Sequence, residues 1–276
     1  MIVRLLICSL FSVSFLSIKA QENFAAYANI KIEPTDKINF NETEIAVSYE
    51  KNLGTKYKIA NTLEYSNLKA NYELNQFDFY HDQDKFNQIQ NKFEFSHEIS
   101  EKTKWQFSII PTANFQQNLD VSDLTVLGDL TINQQLNSKL NIVIGAGRTS
   151  IFGAPKFTPI AALDYKFNDK TNLRIGFPDS QIKYANNERN EFKITNSFNG
   201  NFYHLDISDT SEKAVLSQIT TALEYDRNVS KNWFLNFKAG YDFNKKYKLT
   251  DSSNHQIYDY NIGNGYVLGI GIKYKQ

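Results

Sequence analysis

From Tyr260 to Lys275 the chain alternates almost without error. Tyr260, Ile262, Tyr266, Leu268, Ile270, Ile272 and Tyr274 share one parity, and Gly263, Gly265, Val267, Gly269, Gly271 and Lys273 share the other. Successive side chains of a strand point to opposite faces, so the segment predicts a strand with one large apolar face and one small or polar face. The two-residue period recurs throughout. Trp105, Phe107 and Ile109 alternate with Gln106 and Ser108, and Trp233, Leu235, Phe237 and Ala239 with Asn236 and Lys238. Segments of this kind run about 8–14 residues, the length a tilted membrane strand needs.

Short polar turns separate pairs of these segments: 51–55, 100–103, 137–139, 168–171, 186–190 and 229–232. Most carry Asn or Ser followed by Lys, which is hairpin-turn chemistry. The connections between them are longer: 73–87, 117–123, 149–155, 205–212 and 246–258, with a tight reversal at Pro178-Asp179. Short turns on one side and long loops on the other are the topology of an outer-membrane barrel, with the short turns in the periplasm. Fourteen strands are expected, beginning near residues 24, 43, 56, 88, 104, 124, 140, 156, 171, 180, 190, 213, 232 and 260. Twelve strands is the fallback, with the first strand (24–33), the second (43–51) and the short pair around Pro178 as those open to removal. Pro111 and Pro159 fall inside strands, where a missing N–H removes a ladder bond, and are expected to mark bulges. The first strand is the expected closing partner of the last, whose glycine side should face the lumen.

The fold class is therefore all-β: a transmembrane up-and-down antiparallel β-barrel. A soluble sandwich also alternates, but its core face is dominated by Val, Ile and Leu. Here the apolar face is rich in Phe and Tyr, as interfacial girdles require, and the other face carries residues that cannot fill a dry core unpaired. Residues 1–20 read as a signal peptide, with Arg4 before an apolar run from Leu5 to Leu16, and 21–276 as the barrel. The single cysteine, Cys8, lies in that leader, so the mature chain has no disulfide and no cysteine-based metal or redox site. Basic and acidic residues balance at 30 each, and loss of Arg4 and Lys19 leaves a net charge of −2. That excludes the basic excess of a nucleic-acid surface.

Around Phe157-Thr158-Pro159, Leu163-Asp164-Tyr165-Lys166-Phe167-Asn168 and Leu173-Arg174-Ile175-Gly176-Phe177-Pro178, the chain resembles a family of outer-membrane β-barrels from Gram-negative bacteria known only as a domain of unknown function. The likeness covers about residues 90–276. It implies fold and outer-membrane location, and brings no activity and no functional residues. Such barrels commonly end in an aromatic residue that the assembly machinery reads. This chain ends Tyr274-Lys275-Gln276, so Tyr274 is the candidate for that role.

The inward face is the candidate functional surface. Lys58, Glu64, Lys92, Glu94, Glu98, Lys104, Asp129, Lys166, Arg174, Lys193, Glu224, Lys238 and Asp242 fall on it and mix both signs. A ring of one sign selects ions, whereas a mixed set forms paired networks, so weak selectivity is expected. Other chemistry is sparse. Asp78, His81, Asp82 and Asp84 could hold a divalent cation, chiefly through the carboxylate oxygens, but lack EF-hand spacing, and no metal is expected. His97 could serve a lipid hydrolase only with a serine from another strand. Gly145-Ala146-Gly147-Arg148 lacks the strand–loop–helix context of a phosphate loop and reads as small lumen-facing residues or close strand packing. The expected function is a passive channel or small-solute transporter, without a cofactor. The expected partners are outer-membrane lipid, the assembly machinery and a small solute or extracellular ligand of unknown identity. A structural or surface-interaction barrel is the alternative, with a lipid-modifying enzyme third.

Overall fold

The computed structural model describes residues 23–73, 84–206 and 212–276. The segment 1–20 read as a signal peptide and most of the loop carrying Asp78, His81 and Asp82 lie outside the described residues. Among the described residues there are fifteen strands: β1 (Asn23–Pro34), β2 (Ile38–Leu53), β3 (Tyr57–Tyr72), β4 (Lys85–Ser100), β5 (Thr103–Phe115), β6 (Leu124–Gln135), β7 (Leu140–Thr149), β8 (Lys156–Lys166), β9 (Thr171–Phe177), β10 (Asp179–Asn187), β11 (Asn190–His204), β12 (Lys213–Ser230), β13 (Trp233–Thr250), β14 (Gln256–Asp259) and β15 (Gly265–Lys275). Each strand from β1 to β13 pairs antiparallel with the next, β13 pairs with β15, and β15 pairs with β1. Fourteen strands thus close the barrel, and β14 is an appendage paired only to β13. Closure leaves no open edge, the condition for strands to cross a bilayer.

Alternation sorts the side chains. Ile30, Ile45, Ile144, Ile175, Leu223 and Ile270 are exposed on the outer face, as a lipid-contacting belt requires. Aromatic residues gather near the periplasmic turns. Tyr57 stacks on His97 with centroids 4.6 Å apart, and Trp233 meets Tyr274 at 5.1 Å. Tyr241 and Tyr266, 5.3 Å apart, occupy the other rim. In β15 the glycines and Val267 face inward, while Tyr266, Leu268, Ile270 and Ile272 face out.

The outer third inverts this pattern. The 16-residue strands β2, β3 and β4 and the 18-residue β12 and β13 exceed a bilayer crossing and project roughly 15 Å beyond the belt. Their outward residues there are polar: Asn39, Asn41, Asn67, Lys69 and Lys85. Their inward residues are apolar: Ile38, Phe40, Leu68, Ala70, Phe86, Leu216, Tyr247 and Leu249 form a dry core with Tyr203, Tyr260 and Ile262. Water surrounds this part of the barrel, so its strands bury their apolar face as a soluble protein does.

Three sequence expectations change. The last strand starts at Gly265, and Tyr260 and Ile262 sit inside the outer mouth. Asn261 and Gly263, at φ of 47° and 72°, break the strand before them. The second strand starts at Ile38 and the fourth at Lys85, because their first residues follow the inverted pattern. Neither proline marks a bulge. Pro111 pairs in register with Val126 while the ladder to β4 is interrupted beside it, and Pro159 pairs with Ala146 where β9 has already ended.

On the far side β6–β10 are short, and connections close over them. Phe115 and His204 form a parallel bridge between β5 and β11. His204 Nδ1 lies 3.2 Å from Asp123 Oδ1, and Asn118 donates to Asp206 at 2.9 Å. The 150–155 loop crosses the tip of the β9–β10 hairpin. Ser150 Oγ donates to Gly200 O at 3.0 Å, and Phe152 packs on Phe177 and Phe198.

Candidate functional site: the barrel lumen

The inward charges separate along the wall rather than forming one cluster. On β1–β3, Lys31 bridges Glu33 (2.7 Å) and Glu42 (2.6 Å), and Glu64 accepts from Tyr27 Oη (2.7 Å) and Gln90 Nε2 (3.3 Å). Lys58 pairs with Glu50 at 2.5 Å, and Lys92 with Glu94 at 2.9 Å. Lys104 faces Glu98 and Asn133 in register, and Asp129 accepts from Ser108 Oγ. Lys166 pairs with Asp169 at 2.6 Å, and Arg174 Nε lies 3.0 Å from Asp164. Lys193 bridges Asp226 (2.9 Å) and Glu191 (3.2 Å), and Lys238 approaches Glu224 at 3.4 Å. Opposite charges on neighbouring strands reach one another because register places them on one face.

Asp242 is not a solvated lumen charge. It is fully buried, accepts from Thr220 at 2.7 Å and pairs with Lys245 at 3.0 Å. Lys245, also fully buried, reaches Glu33 and lies 4.9 Å over the Phe40 ring. This network floors the dry core. Strict alternation would send Asp242 and Lys245 to opposite faces. The register of β13 against β12 shifts between Ser217 and Ile219, where Asn244 has φ of 51°, and that bulge turns Lys245 inward. No pattern in the sequence announces the bulge, so Lys245 and its partner Glu33 escape a sequence reading.

Space in the lumen lies beside these networks. A cavity of about 380 Å³ gathers Lys92, Lys104, Asp129 and Arg174 with Gln106, Thr131, Asn133, Thr149 and Asp179. A second, of about 300 Å³ at the periplasmic mouth, holds Lys139, Asp164, Lys166, Arg174 and Lys183. A third, of about 230 Å³, sets Lys31, Lys238 and Lys273 against Glu42, Glu44 and Glu224. Gly145 and Gly147 are on the inward face of β7, paired with Thr131 and Asp129. A Cβ on Gly145 would collide with the backbone oxygen of Leu130, so the residue serves close strand packing.

His97 lies on the outward face. It stacks on Tyr57, and its Nδ1 accepts from Trp105 Nε1 at 3.1 Å. It belongs to the aromatic girdle, facing away from the lumen. Among the described residues no group of three or more His, Cys, Asp or Glu is placed to hold a metal.

Similar solved structures are outer-membrane barrels. The COG4313 outer membrane channel from Pseudomonas putida F1 superposes with a TM-score of 0.52 at 8% identity, covering 93% of this chain and 96% of its own. NanC porin gives 0.45 at 7% identity over 91% of this chain and 100% of its own. The TodX monoaromatic hydrocarbon channel gives 0.43 at 8% identity over 94% and 91%. At these identities the Pseudomonas channel shares the fold. No curated protein matches the chain. The domain of unknown function DUF6268 matches residues 102–275, well over half of the sequence, and the chain belongs to that family.

Proposed function

We propose that this protein is a passive outer-membrane channel for small polar solutes. The observation that carries the reading is a closed barrel with a lipid-facing apolar belt around polar cavities of about 380, 230 and 300 Å³. Polar cavities inside a bilayer-spanning barrel are worth their desolvation cost only where water or solute fills them. Outer-membrane lipid contacts the belt, and insertion requires the barrel assembly machinery. Liposome swelling tests the proposal. Vesicles carrying the refolded barrel should swell in small sugars or amino acids and exclude larger oligosaccharides. Swelling no faster than in protein-free vesicles refutes it.

A second reading has one observation in its favour. The projecting ends of β2–β4 and β12–β13 form a rigid, polar-surfaced platform above the membrane, suited to holding loops for an external partner. A barrel that binds such a partner and gives no swelling would support this reading over the channel.

A further inference from the structure

The lumen is blocked unevenly. On the side of β2–β4 and β11–β13 the dry core fills the outer end, and the polar residues beside it enclose about 60 Å³. On the side of β4–β10 the larger cavity reaches Thr149 and Asp179, at the outer ends of β7 and β10. The periplasmic cavity continues from the same wall to the turn at Ser138 and Lys139. Arg174 lines both.

We propose that solutes cross by an eccentric path along β7–β10, past Arg174 at the junction of its two cavities. This rests on the channel reading. Lys92, Lys104, Lys139, Lys166, Lys183 and Arg174 line the path together with Asp129, Asp164 and Asp179. Glu94, Asp169 and Glu191 sit against Lys92, Lys166 and Lys183, so six carboxylates match the six cations and the path is neutral overall, with Arg174 the charge at its junction. The cavity on the opposite wall likewise balances three lysines against three glutamates.

Arg174 is held loosely for a charged residue so placed. Its Nε lies 3.0 Å from Asp164 Oδ1 and is sealed from solvent, yet it is not aligned for a hydrogen bond. A guanidinium presents five donors in a fixed fork, and a misaligned carboxylate engages few of them. A passing polar solute can take the remaining donors at modest cost, so it is attracted without being retained. Gly176, two residues on and on the same face, leaves the wall beside the fork bare.

Reversal potentials in a salt gradient across planar bilayers test the proposal. Arg174→Glu should lower the chloride-to-potassium permeability ratio about threefold or more, Arg174→Lys should largely preserve it, and Lys238→Glu in the opposite cavity should change it far less. In a Cys8→Ser background, an anionic thiol reagent should reduce the current of Arg174→Cys from either side. A conducting barrel whose ratio ignores Arg174→Glu, and whose current ignores labelling at 174, overturns the path and leaves the channel intact. A folded barrel that never conducts overturns both.

Discussion

Replacing Lys245 with Met removes one cation from a buried set of two lysines and three carboxylates. Lys245 and Asp242 have no exposed side-chain surface and Glu33 has 5%. Solvent therefore cannot compensate the loss. Methionine keeps the stem's volume against Phe40, so packing changes little. Glu33 retains Lys31 at 2.7 Å, and Asp242 retains only the Thr220 hydroxyl. Removing one partner of a buried pair costs about 3–5 kcal/mol, because the other charge is stranded. That lowers the folded-to-unfolded ratio by roughly two to four powers of ten. Reversible denaturant unfolding in lipid vesicles, followed by far-ultraviolet circular dichroism, measures the loss. Adding Asp242→Asn and Glu33→Gln to Lys245→Met removes the stranded charges and should recover most of it. A single-variant cost below about 1 kcal/mol, or a triple variant as unstable as the single, refutes the reasoning.

Two further predictions follow from the inversion of the barrel and from its closing loop. Ile144, 63% exposed on the outer face, sits in the belt, so Ile144→Lys should cost about 2–4 kcal/mol by the same unfolding assay. Lys69→Ile, on the outward face of the projecting end, should stay within about 0.5 kcal/mol. Equal costs would contradict the belt's edge between Tyr65 and Lys69. Gly200→Val would drive a Cβ into Gly153 N and Ser150 O, each 2.6 Å away. The 150–155 loop should lift and become a protease site while the barrel stays heat-modifiable on gels, and an unchanged digest would show that the loop is not seated there.

Much of this architecture is legible in the chain, because a bilayer imposes a strict rule on strands. The parity of Tyr266 to Tyr274, the Asn-Lys turns and the even count all followed from it, and the strands lie within a few residues of their expected starts except where the rule reverses. Ile38 and Phe40 belong to β2 but face a dry core, so a search for outward apolar residues ends at Thr43. Tyr260 and Ile262 continue the parity of β15 although they leave the strand, because an extended loop alternates as a strand does. The inward charges were readable as residue types. Their division into a sealed side and an open side was not, since that depends on which strands are long and on a bulge at Asn244.

Single-channel recording of the refolded protein in planar bilayers reads whether the lumen conducts. Folded, heat-modifiable barrel should give discrete, ohmic conductance steps. Folded barrel that inserts and yields no steps would contradict the channel reading.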